Sequence, residues 1–229
     1  MQEEFGPAVR LARASRRAGD YGSAVNLYRN AVAAGASDPS VMVELGDTLV
    51  DAGSPDDGID VYWKVLALPK VDPASGARLA AIRGLARAYL QLGKADTSLE
   101  HWNEALQMAP QDPAALVGHG VALDTLGRHT EAQASYRAVL ADAPHDVPAR
   151  NNLALSLAMS GNYDQALEII MPMARAATST AQLRQNLALI YGLKGDKEHA
   201  SSISRMDLDQ QATEANLRFF DFVRTTKTN

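Results

Sequence analysis

The sequence predicts an all-α protein: a right-handed superhelical solenoid of about six helix pairs, closed by one further helix near its C-terminal end. Three observations point there. Glycines recur in a single phase at Gly19, Gly53, Gly93, Gly127, Gly161 and Gly195, spaced by 34, 40, 34, 34 and 34 residues. Side chains of fixed small size stand at constant distances from each of them. Apolar residues return at helical spacing throughout, with no stretch of strict alternation that would read as a strand.

The small positions define each unit. Seven residues before the glycines come Ala12, Gly46, Ala86, Gly120, Ala154 and Ala188, and five after them Ala24, Gly58, Ser98, Ala132, Ala166 and Ala200. Such uniformity implies two amphipathic helices in close approach. The glycine suits the left-handed conformation that ends the first helix. Asp20, Asn162 and Asp196 then stand where they can cap the second helix, and Pro55 suits its first turn. Nine residues after the glycine lie Tyr28, Tyr62, Trp102, Tyr136, Ile170 and Ser204, a large-residue position that fades in the last copy. Eight before it lie Leu11, Leu45, Leu85, His119, Leu153 and Leu187, so His119 interrupts an apolar column and reads as a buried, hydrogen-bonded histidine or as a ligand contact or pH-sensitive joint.

Prolines punctuate the junctions, at Pro39, Pro73, Pro110 with Pro113, and Pro144 with Pro148. One domain over residues 1–229 follows, with repeats at about 5–38, 39–72, 73–112, 113–146, 147–180 and 181–208 and a capping helix at about 209–225. The six residues added between Gly53 and Gly93 fall best at 70–76, as a loop or as a longer first helix. The sixth unit decays after Ala200. A terminal repeat needs a cap with one wet face, and Asp209 can start a helix in which Phe219, Phe220 and Phe222 plug the last repeat. Three phenylalanines within four residues do not fit one narrow stripe, so a partner-binding aromatic patch is the alternative reading.

Little here carries chemistry. A net charge of −5 with a pI near 5.5 gives no basic footprint for nucleic acid or an anionic membrane. No cysteine is present, so there is no disulfide, thiolate nucleophile or cysteine-bound metal. No run approaches the roughly 20 apolar residues that span a bilayer. The five histidines form no HExxH, and neither a nucleophile elbow nor a phosphate loop occurs. "LGKAD" has a glycine-lysine pair without its upstream glycine, and the aspartates of "SPDDGID" lack the order of a calcium loop and suit a solvated helix start. The expectation is a non-enzymatic protein with no cofactor and no metal.

The first helices carry polar residues in comparable places from unit to unit. Arg10, Arg13 and Arg17 share one face; Asp47 and Asp51 hold comparable places in the second unit, Arg83 and Arg87 in the third, Asp124 in the fourth. Asn151 and Asn152 follow in the fifth, and Arg184, Gln185 and Asn186 in the sixth. Asparagine and glutamine can bond a peptide backbone in both senses, and arginine can take a carboxylate bidentately. Inter-repeat pairing and a solvated face are the plainer explanation of the same charges.

The 34-residue period, the small-residue pair and the late aromatic and proline resemble the tetratricopeptide repeat from about Phe5 to Ser204, a resemblance which implies that the first helices line a concave wall along which a partner segment lies. The segment from Arg150 to Arg224 is similar to the end of the TadD family of Tad/Flp pilus assembly lipoproteins. That similarity rests on the paired "NLAL", on "LRQNLAL" after a small-residue linker, and on Asp207, Leu208, Asn216, Leu217, Phe219 and Phe220. The resemblance implies a periplasmic factor, anchored to the outer membrane, that helps a pilus secretin assemble or localise. Such lipoproteins carry a signal peptide and a lipidated cysteine; this chain has neither, as expected of a chain starting after that cysteine or of a cytoplasmic relative. The other readings are a regulatory module, a secretion chaperone, or the repeat portion of a larger enzyme.

Overall fold

The computed structural model describes residues 6–35, 38–68 and 76–226. Phe5, Pro73 and the added segment at 70–75 lie outside the described residues. Thirteen α-helices and no strand occur among the described residues. They pair as α1 (Pro7–Arg17) with α2 (Tyr21–Ala33), α3 (Pro39–Asp51) with α4 (Pro55–Leu66), and α5 (Gly76–Gln91) with α6 (Ala95–Met108). The later pairs are α7 (Pro113–Thr125) with α8 (His129–Asp142), α9 (Val147–Met159) with α10 (Tyr163–Ala174), and α11 (Ala181–Lys194) with α12 (Lys197–Ser204). A single helix, α13 (Gln210–Thr226), follows. The chain divides into two compact units, Met1–Gly118 and His119–Asn229, with the division inside α7.

All six phased glycines have φ between +73° and +92°, the left-handed conformation that a β-carbon opposes. The residue after each sends its backbone N–H five residues back: Asp20 to Ser15, Ser54 to Leu49, Lys94 to Tyr89, Arg128 to Leu123, Asn162 to Leu157 and Asp196 to Tyr191, all at 2.8–2.9 Å. These bonds satisfy carbonyls that the helix end leaves open and turn the chain sharply into the second helix. Asp20 and Asp196 cap those second helices by accepting from the backbone of Ser23 and His199. Asn162 does not cap; its amide donates to the Ser160 hydroxyl at 3.1 Å, where that hydroxyl competes for the side chain. Asp38, Asp112 and Asp146 cap α3, α7 and α9, just before the junction prolines.

In the first unit, Tyr28, Tyr62 and Trp102 are buried. The Tyr62 ring of α4 lies between Gly46 of α3 and Gly84 of α5, where a β-carbon would stand 2.6 Å and 2.3 Å from it. In the second unit Tyr136 lies on Gly120 in the same manner, and Ala154, Ala166, Ala188 and Ala200 are fully buried at the helix contacts. Asp209 caps α13 through the Ala212 N–H at 2.8 Å, and α13 packs on α11 and α12. Phe220 is 5% exposed and its ring covers Gly192 of α11, whereas Phe219 and Phe222 are 56% and 64% exposed. One phenylalanine of the three therefore plugs the array, and two face outward. Successive helical positions are about 100° apart, so a single stripe could not hold all three.

Candidate functional site

In the first unit Arg13, Asp47, Asp51, Arg83 and Arg87 are bound to groups of their own chain, most of them in a neighbouring repeat. Arg13 on α1 holds Glu44 on α3 with a fork of two bonds at 2.8 and 2.6 Å, and Glu44 also accepts from the Tyr28 hydroxyl at 2.7 Å. Burial acts to raise the Glu44 carboxyl, but the bonds from Arg13 and Tyr28 outweigh it and hold the group below its ordinary range. Asp47 accepts from the Tyr62 hydroxyl at 2.7 Å and lies 3.4 Å from Arg87, which also reaches Asp51. Arg83 pairs with Asp112 at 2.9 Å, the residue that caps α7. These pairs set the register of one first helix against the next. The adjoining cavity of about 340 Å³ is edged by Arg17 and Tyr21 beside the Arg13–Glu44 pair.

The second unit differs. Arg184 of α11, expected to meet a partner's carboxylate, is clasped to Asp207 of its own chain, with Nε at 2.8 Å. The loop after α12 brings that aspartate back over α11, and the bond from Arg184 holds the Asp207 carboxyl below its usual range. Gln185 reaches Asp207 at 3.4 Å and accepts from Asn216 of α13 at 3.4 Å, which ties it to the cap. The asparagines form a row of amides: Asn186 donates to Asn151 at 2.8 Å and Asn151 to Asn152 at 3.3 Å. At its end the Asn152 Nδ2 has no hydrogen-bond partner among the described residues.

Asn152 lies where two cavities adjoin. The first, of about 280 Å³, lies between α7 and α9 and is lined mainly by apolar atoms of Val121, Leu155 and Met159, with Asp124, His129 and Tyr136 at its edge. The second, of about 330 Å³, runs past Asn151 to Pro148, Thr180 and Leu183. Sequence reading placed Asp124 on this wall but passed over His129, Tyr136 and Ser156, all three of which are bonded to Asp124. Burial, reinforced by the Asp124 charge, keeps the Tyr136 phenol well above its ordinary range, so it is a permanent donor. No cluster of three or more metal-binding side chains occurs among the described residues. No helix among them is long and apolar enough to cross a membrane.

His119 is half-buried and its Nδ1 lies 2.8 Å from the Ser135 hydroxyl. Burial, and then the charge of Arg128, lower its pKa. The unfolded chain therefore binds a proton more readily between the lowered value and about 6.5, and stability is lost as pH falls through that window. His119→Leu, which restores the residue of the other repeats, is expected to flatten the unfolding midpoint below about pH 6.5. Urea titrations of both proteins across pH 5 to 8 would show it, and parallel curves would contradict the assignment.

Profiles of the tetratricopeptide repeat match residues 9–73, 83–146 and 125–190. The chain belongs to the tetratricopeptide repeat family. Proteins of this family act generally as scaffolds for protein–protein interaction. Among solved tetratricopeptide structures, TTC0263 of Thermus thermophilus superposes with a TM-score of 0.67 at 22% identity, covering 80% of this chain and 96% of its own. The Cut9–Hcn1 hetero-tetramer of the APC/C gives 0.77 at 14% identity over 93% of this chain and 42% of that one. Both show the fold alone. The Cellulose synthase 2 operon protein C of Komagataeibacter xylinus is 32% identical over 130 residues, 57% of this chain. The match spans about a tenth (10%) of that relative's length.

Proposed function

We propose that this tetratricopeptide protein is a non-catalytic scaffold that holds an extended segment of a partner protein along the first helices of its second unit. The carrying observation is the row Asn186, Asn151 and Asn152, fixed by its own bonds and ending in an unused donor where two open cavities meet. An amide held in place before the partner arrives loses little entropy on binding. Arg13, Arg83, Arg87 and Arg184 are spent on internal pairs, which shifts recognition from carboxylates to the peptide backbone.

The partner proposed is a secretin or another assembly component of a Tad/Flp-type pilus. The location proposed is the periplasmic side of the outer membrane, with a lipid anchor on a cysteine outside this chain. Support comes from the TadD-like segment that contains the amide row. A second reading, service to a cellulose synthase apparatus, is favoured by the 32% identity to the cellulose synthase operon protein.

Calorimetric titration with fragments of both kinds of apparatus decides between them. Removing a bond to a buried amide costs about 1–3 kcal/mol, so Asn152→Ala with Asn186→Ala is expected to weaken binding by about ten-fold or more. Gln165→Ala, at an exposed position on α10, should leave it unchanged. Equal affinity of the double variant and wild type would move the site elsewhere. Failure of every fragment to bind the wild type would remove both partner assignments.

A further inference from the structure

Asp124, in the last turn of α7, has both carboxylate oxygens occupied. Oδ1 accepts from the Ser156 hydroxyl at 2.7 Å and lies 2.8 Å from His129 Nδ1, while Oδ2 accepts from the Tyr136 hydroxyl at 2.9 Å. A carboxylate offers only lone pairs, so the His129 ring meets it with a proton at Nδ1, and in the neutral ring Nε2 then holds a lone pair. His129 and Asn152 line the same cavity, whose walls are Val121, Leu155 and Met159. Asn152 has the opposite valence, since its Oδ1 is taken by Asn151 and its Nδ2 is unused. One acceptor and one donor thus stand beside an apolar recess.

We propose that this groove reads an extended, uncharged peptide segment bearing one large apolar side chain. That side chain fills the recess between Leu155 and Met159, Asn152 Nδ2 donates to a backbone carbonyl, and His129 Nε2 accepts the N–H of the same residue. The inference rests on the scaffold reading above and adds the chemistry of what is held. A peptide unit supplies one donor and one acceptor, which matches what the groove leaves open. A carboxylate supplies only acceptors, meets the lone pair of His129 and lies near the Asp124 charge. The cation that would have drawn an acidic segment, Arg184, is already clasped by Asp207. Asp124 touches no ligand in this arrangement; it is a positioning residue that sets the His129 tautomer.

The test uses the whole protein and a set of acetylated, amidated nonapeptides that differ at the central residue: Leu, Met, Phe, Asp or Lys. Titration is expected to rank the Leu, Met and Phe peptides at least ten-fold tighter than the Asp peptide. Methylating the backbone nitrogen of the central residue removes one donor and should cost the wild type about ten-fold. The same methylation should cost His129→Ala nothing further, and His129→Gln, whose side-chain carbonyl can accept, should regain part of the sensitivity. Circular dichroism checks that both variants keep their helices. An equal methylation penalty in wild type and His129→Ala, or a preference for the Asp peptide, overturns the inference while the scaffold reading stands. Binding of a pilus or cellulose synthase fragment without binding of any nonapeptide overturns it likewise. If neither fragments nor peptides bind, both readings fall.

Discussion

Replacing Gly84 with alanine is expected to destabilise the protein by about 1–3 kcal/mol, the cost of overpacking a filled core. Inside a helix this exchange ordinarily gains up to about 1 kcal/mol, because alanine is the better helix former. Here the new methyl would stand 2.3 Å from Tyr62 Cζ and 2.7 Å from its Oη, against the roughly 3.5–4.0 Å of ordinary carbon contact. The ring has nowhere to go. Gly46 of α3 also abuts the ring, where a β-carbon would be 2.6 Å away, and its hydroxyl is fixed to Asp47 at 2.7 Å. Relief requires α4 and α5 to part or the phenol to abandon Asp47, and either exceeds the propensity gain. Gly22 supplies the contrast, since it lies in α2 with nothing nearer to an added methyl than Asp20 Oδ1 at 4.0 Å. Gly22→Ala should stabilise by about 0.5–1 kcal/mol. Urea unfolding of the two variants measures both signs, and a Gly84→Ala protein as stable as wild type would refute the packing.

The repeat phase was legible because it is enforced by geometry that tolerates no substitute. A left-handed turn needs glycine at Gly19 through Gly195, and fully buried helix contacts need the small side chains of Ala24 or Ala166. Gly84 and Gly118 escaped notice, although each has an aromatic ring against its Cα, because the other repeats carry larger residues at that register. Nothing local marks such a glycine; the aromatic residue above it belongs to the preceding second helix.

The polar wall was half legible for a similar reason. Helical spacing put Arg13, Asp47, Arg87, Asn152 and Asn186 on first helices, but spacing within one helix does not name the partner on the next. Arg13 finds Glu44 31 residues away, and Arg184 finds Asp207 23 residues away. A search for opposite charges about one period apart would have exposed the first of these pairs and shown that Arg13 is spent. The Asp124 centre was harder to foresee. It gathers Ser156 from the next repeat, and His129 and Tyr136 from the second helix of its own, so no single helical face contains it.

At the C-terminal end, Phe220→Ala is expected to cost about 3–5 kcal/mol, the range for deleting a buried phenylalanine. The Phe220 ring covers Gly192 of α11 at distances a methyl could not share, so truncation leaves a cavity floored by bare backbone. The rest of the cap offers little compensation. The Ser204 and Thr213 hydroxyls are buried in this region without hydrogen-bond partners among the described residues, and each such group opposes burial by about 1–3 kcal/mol. The pair of Lys197 with Asp221 is half-exposed and of a kind worth about 1 kcal/mol or less. Beside the long Asn216–Gln185 bond at 3.4 Å, apolar contact through Phe220 is therefore the main link that holds α13 against α11. Phe219 and Phe222, both largely exposed, should change stability by no more than about 0.5 kcal/mol when truncated. Thermal unfolding with a hydrophobic dye reads the difference: Phe220→Ala should bind dye at temperatures where the other two do not. A loss at Phe222→Ala equal to that at Phe220→Ala would show that the aromatic trio caps the array as a unit.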